Sequence, residues 1–273
     1  IFVAFVIAIG WFFNEYLGYG YGTVIFAMII AMIMTLTSYY HGDKIALRSS
    51  GARLITKNDN AYLWRIVENL SITAGLPMPK VHIIDSPALN AFATGRDPEH
   101  ASIAVTTGIM DALKNEELEG VIGHELSHIK NYDIRVMTIV VVLVGTISLL
   151  ADFFLRARLL GGHGDRKNNV GAAFAIIGLV LLILSPIVAE LIKLAISRKR
   201  EFLADASGAL LTRYPEALAS ALEKIDSSKY PLATASAATA HLFISNPFKK
   251  KNFTSLFSTH PPIAERVKRL RGN

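Results

Sequence analysis

Apolar residues in this chain gather into four long blocks, and the rest are spread at helix or strand spacing through a polar remainder. The blocks are IFVAFVIAIGWFF at the start, then about Thr23 to Tyr40, about Val136 to Leu155, and about Val170 to Leu194. A helix needs roughly 20 apolar residues to cross a bilayer. The first block is shorter than that and begins at Ile1 rather than Met, so part of its helix is expected to be missing. The link NEYLGYGYG places tyrosines where an interfacial belt would lie. Pro186 is expected to kink the fourth helix, with Glu190 near its cytoplasmic end. The pattern predicts four transmembrane helices.

The polar remainder reads as a mixed helix-and-strand body. Residues 58–74, NDNAYLWRIVENLSITA, have helical spacing behind an Asn/Asp cap, and Gly75 with the prolines of LPMPK ends that helix. KVHIID alternates like a strand, PALNAFATG is irregular or edge-like, and SIAVTT reads as a second strand. A helix is expected from Asp111 to Ile129 or beyond. Residues 227–258, rich in Ala, Ser and Thr and then basic, suggest a mobile region with some helix. The expected organisation is two N-terminal membrane helices (1–40), a first catalytic part (41–135), a membrane hairpin (136–197) and a second catalytic part (198–273).

Composition narrows the function. Cysteine is absent, so no disulfide framework is available and no oxidising compartment is needed. The net charge of +6 comes from Lys and Arg beside the apolar blocks, with no aromatic-interleaved basic stripe. The expected partners are therefore a lipid bilayer and polypeptides, not nucleic acid.

Between the second and third blocks lies HELSH, residues 124–128. Histidines at i and i+4 share one helical face, so His124 and His128 can reach one ion. Glu125 then lies beside the metal without binding it, placed to take a proton from the attacking water and pass it to the leaving amine. Two surface histidines on an ordinary helix would satisfy the same spacing. Catalytic zinc needs a third protein ligand and an open position. No histidine follows closely, so an acidic residue farther on is required, and Glu190 and Glu201 are the candidates. Glu201 opens EFLAD, which puts Asp205 at i+4, able to orient a ligating imidazole. Glu190 has no such companion, so Glu201 is preferred over an exposed role in the basic run RKREF.

That choice constrains topology. His124 and Glu201 must meet, so the chain between them crosses the membrane an even number of times. Lys44, Arg48, Arg53, Lys57, Lys130, Arg135, Arg198, Lys199 and Arg200 then share the catalytic side, which the positive-inside rule makes cytoplasmic. Arg156, Arg158, Arg166 and Lys167 at the hairpin tip run against that assignment. Intramembrane proteases embed the same motif in an apolar span. Here KNEELEG and KNYD flank it, which places the centre at or above the membrane surface.

GHELSHIKNYD, REFLADASGA after two blocks, and STHPPIAERVKRL near the end together resemble the HtpX-type membrane zinc peptidases, relatives of the CAAX prenyl proteases. PALNAFATG and HLFISNPF extend the likeness over nearly the whole chain, although Tyr132 stands where such proteins often carry Arg. The resemblance implies a mainly α membrane protein with four transmembrane helices and a zincin-like α+β catalytic domain holding a small β-sheet. It implies one zinc ion per chain on His124, His128 and Glu201, with Glu125 as general base. It also implies catalytic roles near the water and the oxyanion for Asn90 and His260, whose side chains can each donate a hydrogen bond there. The activity implied is a multi-pass, plasma-membrane quality-control endopeptidase, often stress-linked, that cleaves misfolded or damaged membrane proteins on the cytoplasmic side. Two other readings remain: a membrane scaffold or chaperone with a structural zinc site, which has no use for Glu125, and a CAAX-type processing protease, for which four blocks are few.

Overall fold

The computed structural model describes residues 21–142, 198–235, 239–248 and 261–272, together with Ile7, Trp11, Asn14 and Glu15. The chain divides into two compact units, Ile1–His41 with Val142–Glu190 and Gly42–Val141 with Leu191–Asn273. In the first, the second apolar block forms part of helix α1, Gly22–Ser49, which leaves Ile25, Phe26, Ile29, Met32, Ile33 and Leu36 exposed. Among the described residues no helix is long and apolar enough to cross a membrane. The fourth block, the first apart from Ile7 and Trp11, and the third beyond residue 142 lie outside the described residues, as do Glu190 and residues 249–258.

The second unit is built on a four-stranded mixed sheet of β1 (Ala52–Leu54), β2 (Lys80–Ile84), β3 (Ala91–Thr94) and β4 (Ser102–Thr106), in the order β1-β2-β4-β3. The central β2–β4 pair is parallel, with Val81 opposite Ile103 and Ile83 opposite Val105, and both edge strands are antiparallel to their neighbours. KVHII was expected to alternate between buried and exposed positions. Instead Val81 to Ile84 are all buried, because a central parallel pair is covered on both faces. PALNAFATG, read from the sequence as irregular or edge-like, supplies the edge strand β3.

Helix α2, Ala61–Ala74, starts where Asn60 Oδ1 accepts the Leu63 N–H at 2.9 Å, a cap worth about 1 kcal/mol. It stops at Gly75, whose φ of 69° reverses the chain at no steric cost. The single helix expected over Asp111–Ile129 is instead two, α3 (Thr107–Ala112) and α4 (Asn115–Lys130). Leu113 and Lys114 are extended between them. Glu117 holds the break by accepting the Lys114 N–H at 2.8 Å, and Lys224 Nζ and Ser220 Oγ, each 2.6 Å away, tie it to helix α6.

Helix α4 is central. It packs against α2, β3, α5 (Arg198–Thr212) and α6 (Pro215–Ser227), and its apolar residues Leu118, Val121, Ile122, Leu126 and Ile129 all join the core. The closest approach is at α5. A Cβ on Gly208 would stand 2.7 Å from the His124 backbone nitrogen, and one on Gly123 would stand 3.2 Å from the Gly208 carbonyl. Two facing glycines therefore let the α4 and α5 backbones nearly touch beside His124. Gly208→Ala is expected to force them apart. Overpacking costs about 1–3 kcal/mol and exceeds the gain of at most about 1 kcal/mol from helix propensity. The melting temperature and the zinc bound per chain should both fall. If both match the unaltered protein, the close approach is not needed.

Candidate metal centre

Crossing α4 and α5 at the glycine pair brings the first turn of α5 over the middle of α4. The His124 and His128 rings pack edge to face, with centroids 4.7 Å apart and Nε2 atoms 3.2 Å apart. Glu201 Oε1 lies 3.5 Å from His128 Nε2, and Oε2 lies 3.9 Å from His124 Nε2. All three side chains are buried, and their donor atoms face one another across a single small volume.

The outer nitrogens explain the inner ones. His124 Nδ1 is 2.9 Å from Asp205 Oδ1, and His128 Nδ1 is 3.1 Å from Asp133 Oδ2. A carboxylate only accepts, so each Nδ1 carries a proton, and each Nε2 presents a bare lone pair whenever its imidazole is neutral. Two lone pairs and a carboxylate held this close, away from water, fit a cation between them. Ligands bonded tetrahedrally to zinc at about 2.0–2.1 Å stand about 3.3 Å apart, close to the separations here. The donor set of two imidazoles and one carboxylate also fits catalytic zinc.

Each orienting carboxylate is in turn met by an arginine. Arg266, on helix α7 (Ile263–Leu270), is fully buried and grips Asp205 with two bonds, Nε–Oδ2 at 2.8 Å and Nη2–Oδ1 at 2.7 Å. Its Nη1 donates to the Ile244 carbonyl at 3.1 Å. Arg200, in the first turn of α5, donates to Asp133 Oδ1. Asp133, Arg200 and Arg266 in these roles were missed from the sequence. One signal for Arg266 exists: it occupies the apolar stripe Ile263, Arg266, Val267, Leu270, where a charged residue needs a buried partner.

Glu125 is 2 % exposed and accepts a hydrogen bond from the Ala93 backbone on β3. Asn90, one residue before β3, is buried; its Nδ2 donates to the Ser245 carbonyl at 3.2 Å and its Oδ1 accepts from the Ala91 N–H. His260 lies outside the described residues.

Burial sets the charges. It raises the Glu125 carboxyl to about 7, against the pull of His128. Burial, helped by Arg266, brings His124 down to about 4 despite Asp205. Burial also opposes a charge on His128, but the Asp133 hydrogen bond and the charges of Glu201 and Glu125 prevail and lift it to about 9. For Asp205, burial is outweighed by Arg266, and the carboxyl stays well below its usual range.

A metal ligand must be neutral imidazole, so binding zinc expels the His128 proton. Below about pH 9 that proton competes with the metal. Affinity is therefore expected to drop about tenfold for each unit that pH falls, between about pH 9 and pH 7. Chelator competition across that range checks it, and a flat profile would mean that His128 is already neutral before metal enters.

Residues 57–273 match the model of Peptidase family M48. The chain is 50 % identical over 270 residues to a "Protease HtpX homolog" of Tropheryma whipplei strain TW08/27, covering 98 % of this chain and 91 % of that one. It is 49 % identical over 275 residues to a "Protease HtpX homolog" of Caldanaerobacter subterraneus subsp. tengcongensis, covering 99 % and 91 %. The crystal structure of S. mikatae Ste24p shares the fold, with a TM-score of 0.54 at 18 % identity. That match covers 98 % of this chain and 62 % of the Ste24p chain.

Proposed function

We propose, from the premise that the chain belongs to peptidase family M48 and is a zinc metalloprotease, that it is an integral-membrane endopeptidase acting on unfolded or damaged membrane proteins at the cytoplasmic face. The observation that carries the reading is the convergence of His124, His128 and Glu201 at the spacing of zinc ligands, with Glu125 on the next position of the same helix.

Those three residues would hold zinc, which when bound supplies Lewis acidity that polarises the scissile carbonyl and makes water nucleophilic near neutral pH. The protein does the rest. Asp205 and Asp133 keep the protons of His124 and His128 on Nδ1. Glu125, held by Ala93 and poised near neutrality, accepts the proton of the attacking water and returns it to the leaving nitrogen. Asn90 and His260 are proposed to steady the developing oxyanion.

An extended substrate would lie along the outer edge of β3, beside Glu125, and main-chain pairing there gives broad sequence tolerance. The Ile244 N–H already uses the Ala91 carbonyl at 3.0 Å, so pairing would begin at Ala93. Zinc quantification on detergent-purified protein tests the centre. One zinc per chain is expected, sharply reduced in Glu201→Gln and retained in Glu190→Gln; loss only in the Glu190 variant would move the third ligand.

Membrane insertion rests on the four apolar blocks and the exposed apolar face of α1. The proposed layout keeps 1–40 and 136–197 in the bilayer and 41–135 with 198–273 in the cytoplasm. In intact cells, a cysteine at Gly162 should react with an impermeant maleimide, and one at Ser49 only after lysis. Protection at both positions would mean that the 136–197 pair enters and leaves by the same face.

A further inference from the structure

The two arms behind the imidazoles are built alike but exposed differently. Asp205 and Arg266 are sealed inside. Asp133 is just as buried, at 3 %, yet the side chain of its partner Arg200 is 46 % exposed. In the sequence Arg200 belongs to the basic run RKR, which reads as one more positive flank beside an apolar block. Its contact says otherwise.

We propose that Arg200 is a positioning residue for the metal centre and acts through Asp133 on His128. The proposal rests on the reading of His128 as a metal ligand. Asp133 spends its two oxygens separately, Oδ2 toward His128 Nδ1 and Oδ1 toward Arg200. The chain reaches this arrangement through Tyr132, whose φ of 59° puts a bulky residue in the left-handed region just after α4. That conformation costs about 1–2 kcal/mol, and it turns Asp133 back beneath the helix it has just left. Without Arg200, Oδ1 would be a buried acceptor with its counter-charge removed. The carboxylate would then turn toward water, which releases the His128 imidazole from its fixed orientation.

Arg200 also precedes Glu201 on the same helical turn. The start of α5 therefore reaches the centre twice, directly through Glu201 and indirectly through Asp133. A small movement of that turn changes two of the three metal contacts together.

Zinc affinity of the full chain in detergent, measured against a chromophoric chelator, tests this for Arg200→Gln, Asp133→Asn, the double variant, Arg200→Lys and the neighbouring Arg198→Gln. Outer partners of metal ligands are worth about 10–100-fold in affinity. Asp133→Asn should lose an amount in that range, Arg200→Gln about tenfold, Arg200→Lys less, and Arg198→Gln nothing. The double variant should be no weaker than Asp133→Asn alone, because the side chain of Arg200 acts on the metal through Asp133. Affinity in Arg200→Gln equal to the unaltered protein overturns the proposal, including where its melting temperature drops, since that is a structural role only. So does a double variant whose loss is the product of the two single losses. Failure of the unaltered protein to bind zinc is a separate result and would remove the metal-centre reading itself.

Discussion

Glu125→Gln is expected to reduce peptide hydrolysis by about 10²–10⁴-fold while zinc bound per chain is unchanged. The substitution keeps size and shape, and the amide oxygen can still accept the Ala93 N–H. It cannot take a proton from water. Stability should not suffer. Burial raises the Glu125 carboxyl from 4.5 to about 7, so its ionised form is disfavoured in the fold. The resulting cost is absent below about pH 4.5, grows as pH rises toward 7, and is then fully present. A neutral amide removes it, so the metal-free variant should melt at or above the temperature of the unaltered protein near neutral pH. Digestion of an unfolded protein, zinc quantification and a thermal melt together check the three parts. Full activity in the variant would end the assignment of Glu125 as the base.

Arg266→Leu should be the most destabilising substitution in the catalytic unit. Arg266 is fully buried and makes a two-pronged bond to Asp205, whose other contact is His124. Removing one member of a buried ion pair leaves the other charge uncompensated, at a cost of about 3–5 kcal/mol. For a domain of this size that corresponds to a drop in melting temperature of roughly 6–20 °C. Arg266→Lys keeps the charge but not the planar fork, and should fall between. Removing both partners with Asp205→Leu/Arg266→Leu should recover part of the loss, since the Asp205 charge is then no longer stranded, while Glu201, 3.8 Å from Arg266 Nη1, still loses its cation. Because the Asp205 carboxyl lies well below its ordinary value of 3.8, the pair is fully present above that pH and is lost only in stronger acid. A melting temperature unchanged in Arg266→Leu would show that Asp205 finds another partner.

Much of this protein was open to reading one residue at a time. Asn60 and Gly75 mark the ends of α2 because a cap and a left-handed turn are local acts, decided within a few residues. His124, Glu125 and His128 declare themselves because a helix turns by a fixed angle, and i and i+4 meet whatever the rest of the chain does. Glu201 and Asp205 could be picked out by the same spacing, though not their distance from His124. The break at Leu113 was hidden, because Glu117 is held by Lys224 more than a hundred residues away. The strand order was hidden too. Nothing local says that β4 would separate β2 from β3, or that β3 would be left at the edge beside Glu125.

The sequence by itself determined the chemistry: which side chains can bind a metal, which can move a proton, and which helices would carry them. Those properties belong to residue types and to the geometry of a single helix. Only the tertiary structure decided the environment that sets how these groups behave. It packed Gly123 against Gly208, so that α5 could bring Glu201 within 4 Å of both imidazoles. It buried Arg266, 142 residues from His124 in the chain, against the carboxylate that orients that histidine. It also set Arg200 on Asp133, where an apparent surface charge became part of the centre. Burial and charge compensation depend on everything that surrounds a group, and in this protein those surroundings come from segments far apart along the chain.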